Sequence, residues 1–308
     1  MKSSGTKQLV KKRKSTRQRQ LESWYDHPEW FEIGFEKDTV READFFEKAF
    51  ERWCPFQVER FFEPACGSGR IVVEMAKRGY DVAGFDLSEP SLEYLRSRLR
   101  REKLKGEIFN ADMSNFTMKG KWDAASCTFN SIRHLTTEEQ ARGQLECVAK
   151  ALRTGGLYFL GMHLAPPDCD PLCVEKWIGE RGNTRVTTTL RVTQSSRKTR
   201  LERLRISVLV REFKNGKSTN GKHTNGKMAS GKPDRYAVKS RLSGPSEIVG
   251  RMVDEFDYRM YTASQIRSLI ASVPEFEILD TFDFWYDMED PQKLDNDAID
   301  VLFVLRKR

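Results

Sequence analysis

The chain has no long apolar run. No stretch approaches the roughly 18 consecutive apolar residues that a membrane span needs. Apolar residues make up only 38% of the sequence and charged residues 32%, so some segments are solvated rather than packed. The basic N-terminus has no apolar core behind it and does not read as a secretory signal. Paired cysteines are missing too. Cys54, Cys66, Cys127, Cys147, Cys169 and Cys173 contain no C-x-x-C spacing, which leads us to expect reduced thiols in a cytoplasmic protein. Cys169 and Cys173 flank Pro171 with no second pair of ligands nearby, so no metal site is expected. Acid is absent from residues 1–20, which hold eight lysines and arginines; because the whole chain carries +8, residues 21–308 sum to zero. Five more lysines fall between Lys214 and Lys232, again without acid. The cations are thus concentrated in the two least patterned segments. The folded body is mildly acidic, which argues against nucleic acid as its partner.

What is present, in 308 residues, suits one large domain carrying an elaborate insertion. Residues 1–20 read as a disordered basic tail. Residues 21–57 are dense in aromatics, and Phe45, Phe46, Ala49, Phe50 and Trp53 recur at helical spacing, which predicts a helical lid segment. From 58 to 165, strands (58–63, 81–85, 106–110, 123–127, 155–163) alternate with helices (69–78, 89–101, 137–151). That order predicts an α/β fold, a doubly wound and mostly parallel sheet with helices on both faces. After Pro166-Pro167, apolar and polar residues alternate at 184–194, 199–213, 235–242 and 247–261, predicting an antiparallel β insertion over 166–261 after the fifth strand. Within it, Asn-Gly-Lys recurs at 215, 220 and 225, followed by Ser-Gly-Lys at 230. This repeat has too little apolar content for a core and reads as an expanded hairpin loop over 214–232. A helix capped by Thr262 and two strands in a C-terminal antiparallel hairpin close the chain over 262–308.

The turn EPACGSGR, residues 63–70, joins the first strand to the first helix of the alternating region. It lacks the Gly-Lys-Ser/Thr of a nucleotide P-loop and the third glycine of a dinucleotide fingerprint, since Val72 stands there. Small residues at 65, 67 and 69 let backbone approach a ligand without Cβ clashes. Asp86 ends the next strand in GFDLS, at the distance where an acid accepts ribose hydroxyls. Asp112 and Met113, in NADM, follow the third strand as Asp86 and Leu87 follow the second. These motifs, with DAASCTFNSIRHL at the end of strand four, resemble the class I S-adenosylmethionine-dependent methyltransferases over roughly 58–163. The resemblance implies a Rossmann-like fold, S-adenosyl-L-methionine as cofactor, and a cofactor site at Glu63, Ala65, Gly67, Gly69, Arg70, Asp86, Leu87, Asp112, Met113, Thr128 and Phe129. Tyr25 is added as an aromatic face for the sulfonium cation.

TFNSIRHL resembles the fourth motif of the small-molecule group, the glycine and sarcosine N-methyltransferase-like branch. The Asp/Asn-Pro-Pro-Tyr/Phe of amino-methylating nucleic-acid enzymes is absent. The resemblance implies methyl transfer by in-line displacement to a small polar acceptor through nitrogen or oxygen, under a lid that excludes water. Asn130 is a candidate to orient the acceptor, and His134 and His163 are candidate bases, an unperturbed imidazole titrating at about 6.5. Trp30 and Arg133 are candidate substrate contacts. Two rival readings stay open: an RNA or protein methyltransferase docking through the basic tail, and a non-catalytic module that binds the cofactor.

Overall fold

The computed structural model describes residues 23–170, 172–214 and 241–308. The basic tail, nearly all of the repeat loop and most of the strand expected at 235–242 lie outside the described residues.

The alternating region folds as its pattern dictates. Strands β1 (Arg60–Pro64), β2 (Asp81–Asp86), β3 (Glu107–Asn110), β4 (Trp122–Cys127) and β5 (Leu152–His163) join β10 (Phe276–Phe282) and β11 (Asp300–Lys307) in one seven-stranded sheet. Its order is β10-β11-β5-β4-β1-β2-β3, and β11 alone runs antiparallel to its neighbours. All six residues of β4 are buried, as expected for a central strand covered on both faces. One face packs α2 (Thr39–Trp53), α3 (Arg70–Lys77) and α4 (Glu89–Arg101), and the other packs α5 (Glu138–Ala151) and α6 (Ala263–Ala271). Thr137 and Thr262 start α5 and α6 with capping boxes completed by Gln140 and Gln265, each satisfying orphan backbone donors. The strand order reverses between β1 and β4, opening a crevice at their carboxyl ends.

Four further strands, β6 (Val174–Arg181), β7 (Thr184–Ser196), β8 (Leu201–Phe213) and β9 (Ser246–Arg259), form a separate antiparallel sheet in sequential order. The sequence reading missed β6. Only Trp177 and Gly179 are buried along it, so its alternation is masked by charge. The N-terminal aromatics fold into α1 (Pro28–Phe35), which lays Ile33 with Trp24 against Trp177, Val186, Ile206 and Val208 of this second sheet. Among the described residues no helix is long and apolar enough to cross a membrane.

Candidate functional site

A cavity of about 870 Å³ opens at the strand-order reversal, at the upper end of the range for small-molecule sites. The glycine turn, the loops after β2, β3 and β4, the N-terminal segment and the inner face of the second sheet all line it.

The turn is built from positive φ. Ala65, Gly67 and Gly69 have φ of 52°, 51° and 71°. A Cβ on Gly67 would meet nothing within 4 Å, so this residue faces the open crevice. At Gly69 a Cβ would lie 2.2 Å from Leu95 Cδ1. Gly69 therefore serves close packing of the turn on α4 and is not part of the cavity lining, contrary to its expected contact with a ligand. Asp86 accepts the Gly67 N–H at 2.9 Å and the Ser88 N–H at 2.8 Å. Each oxygen thus keeps a lone pair for a ligand hydroxyl. Burial raises the Asp86 pKa, opposed by those backbone donors. Leu87 is 66% exposed although apolar, while Met113 is buried. Asp112 stands exposed at the rim, its carboxylate accepting the Ser114 N–H at 2.7 Å.

Beneath the turn lies a buried charged group. Arg70 pairs with Glu42 at 2.5 Å, reaches Thr128 Oγ1 at 3.5 Å, and sits 4.1 Å over the Phe129 ring. Glu63 is also buried, and its Oε2 has no hydrogen-bond partner. Burial pushes the Glu63 carboxyl well up, Arg70 acting against it. An orphaned acceptor of this kind, beside an open glycine and a carboxylate with free lone pairs, fits a ligand that carries positive charge and ribose hydroxyls. The residues present therefore fit S-adenosylmethionine.

At the end of β4, Phe129 and Asn130 both adopt left-handed backbone, φ 56° and 68°. Such strain at a crevice points to function. The Asn130 carboxamide is used internally: its Oδ1 accepts the His163 N–H at 2.7 Å and lies 3.5 Å from an Arg133 nitrogen. Arg133 corrects the expectation of a substrate carboxylate contact. It is buried, pairs with Glu202, donates to the Arg259 carbonyl at 3.0 Å and covers the Tyr258 ring at 4.8 Å. Trp30 is corrected as well. It lies outside the cavity lining, stacked on His27 at 4.0 Å.

The two histidines differ. His134 Nε2 lies 2.6 Å from the Tyr25 hydroxyl, and burial, with Arg133 adding to it, lowers the His134 pKa to about 4. The Tyr25 pKa is raised well above normal, chiefly by burial. Both groups are neutral near pH 7 and share this hydrogen bond, the tyrosine O–H donating where the imidazole carries its proton on Nδ1. His163 also lines the cavity, with Nε2 3.4 Å from Asp300 of β11.

Tyr25 is better described as a strap than as a cofactor face alone. Its carbonyl accepts the Ser88 and Ser91 hydroxyls at 3.0 and 2.9 Å, while its own hydroxyl reaches across to His134. It so ties the start of α4 to the segment after β4. A second tie runs through Glu32 of α1, which pairs with Arg98 at 2.7 Å, while Arg98 holds the Ser68 carbonyl at 3.0 Å. Sequence reasoning missed Phe31, Phe35 and the second-sheet residues Glu175, Trp177, Phe256 and Tyr258, all in the lining. For Phe256 and Tyr258 the period-2 alternation of their strand was the available signal.

Comparison with known proteins agrees with this geometry. Residues 62–156 match the family described as methyltransferase domain. The chain is 28% identical over 174 residues to dTDP-3-amino-3,6-dideoxy-alpha-D-glucopyranose N,N-dimethyltransferase of Streptomyces fradiae, covering 56% of this chain and 65% of that protein. Other curated relatives are spanned over about half their length, 48% and 52%. An S-adenosylmethionine-dependent methyltransferase from Clostridium acetobutylicum superposes with a TM-score of 0.65 at 14% identity, over 92% of this chain and 99% of that one. The sugar N-methyltransferase KedS8 from Streptoalloteichus gives 0.64 at 17% identity, over 98% of this chain and 100% of that one. The fold is that of these class I methyltransferase structures, and residues 62–156, which the family model matches, lie at its centre.

Proposed function

We propose that the crevice binds S-adenosylmethionine and that the protein transfers a methyl group to the nitrogen of a small amine. The carrying observation is the pairing of the open Gly67 turn and Asp86 with the orphaned buried acceptor of Glu63. Two curated relatives are named as N,N-dimethyltransferases of amino sugars. This supports a nitrogen acceptor and weighs against the glycine and sarcosine N-methyltransferase-like branch. The cavity is walled by the Tyr25 strap and the second sheet, which suits a small molecule better than an RNA or protein acceptor.

Bound there, the cofactor supplies an activated methyl group whose leaving group departs as a neutral thioether. The chain's own residues do the rest. Asp86, Asp112, Leu87 and Met113 hold the nucleoside end, and Glu63 faces positive charge. Phe129 and Asn130 shape the opening at the end of β4. The neutral His134–Tyr25 pair orients the acceptor N–H: with its own proton held by His134, the Tyr25 hydroxyl oxygen keeps a lone pair that accepts from the nitrogen. His163, with Asp300 behind it, takes the proton that the nitrogen loses. The N-terminal lid excludes water.

Calorimetric titration with S-adenosylmethionine and S-adenosylhomocysteine tests this directly. Micromolar binding of both is expected, and Asp86→Ala should weaken it by about 1–3 kcal/mol, because ribose hydroxyls lose a charged acceptor. Absence of binding by the wild-type protein refutes the reading, and unchanged affinity in the variant refutes the role of Asp86. Turnover of an amine then separates an enzyme from a module that only binds the cofactor.

A further inference from the structure

The second sheet turns one face toward the crevice. Register places Leu190 opposite Ile206, and Val192 opposite Leu204, with Leu204 in turn opposite Phe256. The next pair along, Glu202 and Tyr258, also faces inward. The wall is therefore apolar and aromatic, closed at one end by polar groups.

Those polar groups are unevenly partnered. Glu202 is neutralised by Arg133. Glu175 of β6 lines the same cavity and makes no hydrogen bond or ion pair among the described residues. The Tyr258 hydroxyl makes no hydrogen bond either, and Glu175 and Glu202 both act on it electrostatically. Arg133, Glu202 and Glu175 together leave one negative charge without a counter-ion. The remaining cations of the cavity are committed or peripheral. Arg70 is paired with Glu42, and Arg197, exposed, donates to the carbonyls of Pro166 and Cys169.

We propose that this wall is the acceptor subsite for an apolar amine that enters as an ammonium ion, with Glu175 as counter-ion and the Tyr258 hydroxyl as its second polar contact, and that passes its proton to His163 before the neutral nitrogen attacks the methyl carbon. Aromatic faces at Phe256 and Tyr258 add attraction for a cation, and pairing with the half-buried Glu175 is screened less than pairing in open solvent. The substrate class is thus a hydrophobic amine rather than an anionic nucleoside-diphosphate conjugate. This rests on the reading of the crevice as a methyl-transfer site.

The test is calorimetric titration of the full chain, with and without saturating S-adenosylhomocysteine, using 2-phenylethylamine, its neutral analogue 2-phenylethanol, and thymidine diphosphate. The amine should bind about tenfold or more tightly than the alcohol, in line with a charged hydrogen bond. Glu175→Gln should erase that preference, and Tyr258→Phe should reduce it less. Equal binding of amine and alcohol, a preference that survives Glu175→Gln, no binding of the amine, or tighter binding of thymidine diphosphate overturns the proposal. The wild-type ratio decides by itself should a variant not fold. Micromolar S-adenosylhomocysteine binding without amine preference removes this inference and leaves the proposed function standing; amine preference without S-adenosylhomocysteine binding refutes the proposed function and the acceptor role with it, leaving only an amine-binding wall.

Discussion

Acidification should weaken this fold through His134, and the size of the effect follows from its surroundings. The imidazole is enclosed by the Tyr25 hydroxyl, the rings of Phe256 and Tyr258, and the Arg133 guanidinium beside it. Burial and the neighbouring cation lower its pKa to about 4, against about 6.5 in the unfolded chain. Between those values the unfolded state binds the proton and the folded state does not, so stability falls as pH drops. The penalty is nearly absent at pH 7.5. At pH 5.0 the linkage relation gives about 2 kcal/mol, and below pH 4 it levels off at about 3.4 kcal/mol.

The assay is urea denaturation at pH 7.5 and 5.0 for the wild type and His134→Gln. Glutamine keeps an acceptor for the Tyr25 hydroxyl and does not titrate. Glu63 and Asp86, whose pKa values are raised in the folded protein, act in the opposite direction, but both proteins contain them and their contribution cancels in the comparison. The wild type should lose about 2 kcal/mol more than the variant over this interval. Parallel losses would refute the reasoning, as would a His134 imidazole that titrates near 6.5 by NMR in the folded protein.

Two further outcomes are expected. Ala65→Gly should stabilise the protein by about 0.5–1 kcal/mol in denaturant melts, because the left-handed backbone at φ 52° strains any Cβ while glycine gives back part of the gain as unfolded-state entropy. Glu42→Gln should cost about 3–5 kcal/mol by leaving Arg70 buried without its counter-ion, whereas Glu42→Leu combined with Arg70→Met should recover most of that loss in the same melts.

The parallel sheet was legible because its period of alternation is strong and its turn chemistry local. The glycine turn, Asp86 and Asp112 each sit within a few residues of a strand end, where the one-dimensional order already fixes their place. Gly69 shows the limit of that reasoning. It belongs to the same short motif as Gly67, yet only the position of Leu95 on α4, some 26 residues later, makes it a packing residue. Arg133 and Trp30 failed for the same reason at longer range. Arg133 finds its partner 69 residues away in Glu202, and Trp30 lies against Gly250 of β9. No local pattern announces a partner supplied by another sheet.

The same long-range contacts tie the two halves of the crevice together. Tyr25 carries backbone bonds to Ser88 and Ser91 beside Asp86, and a side-chain bond to His134 across the crevice. Glu32 holds Arg98, which holds the Ser68 carbonyl of the glycine turn, and it also meets Arg181 of the second sheet at 3.1 Å. A displacement of the N-terminal segment thus disturbs both the glycine turn and the wall formed by the second sheet. A charged lattice with these partners couples order at the glycine turn to order at the second sheet, since breaking one buried pair exposes the next charge to an uncompensated environment. The aromatic N-terminal segment is for this reason a structural part of the site and not a cover laid over a finished one.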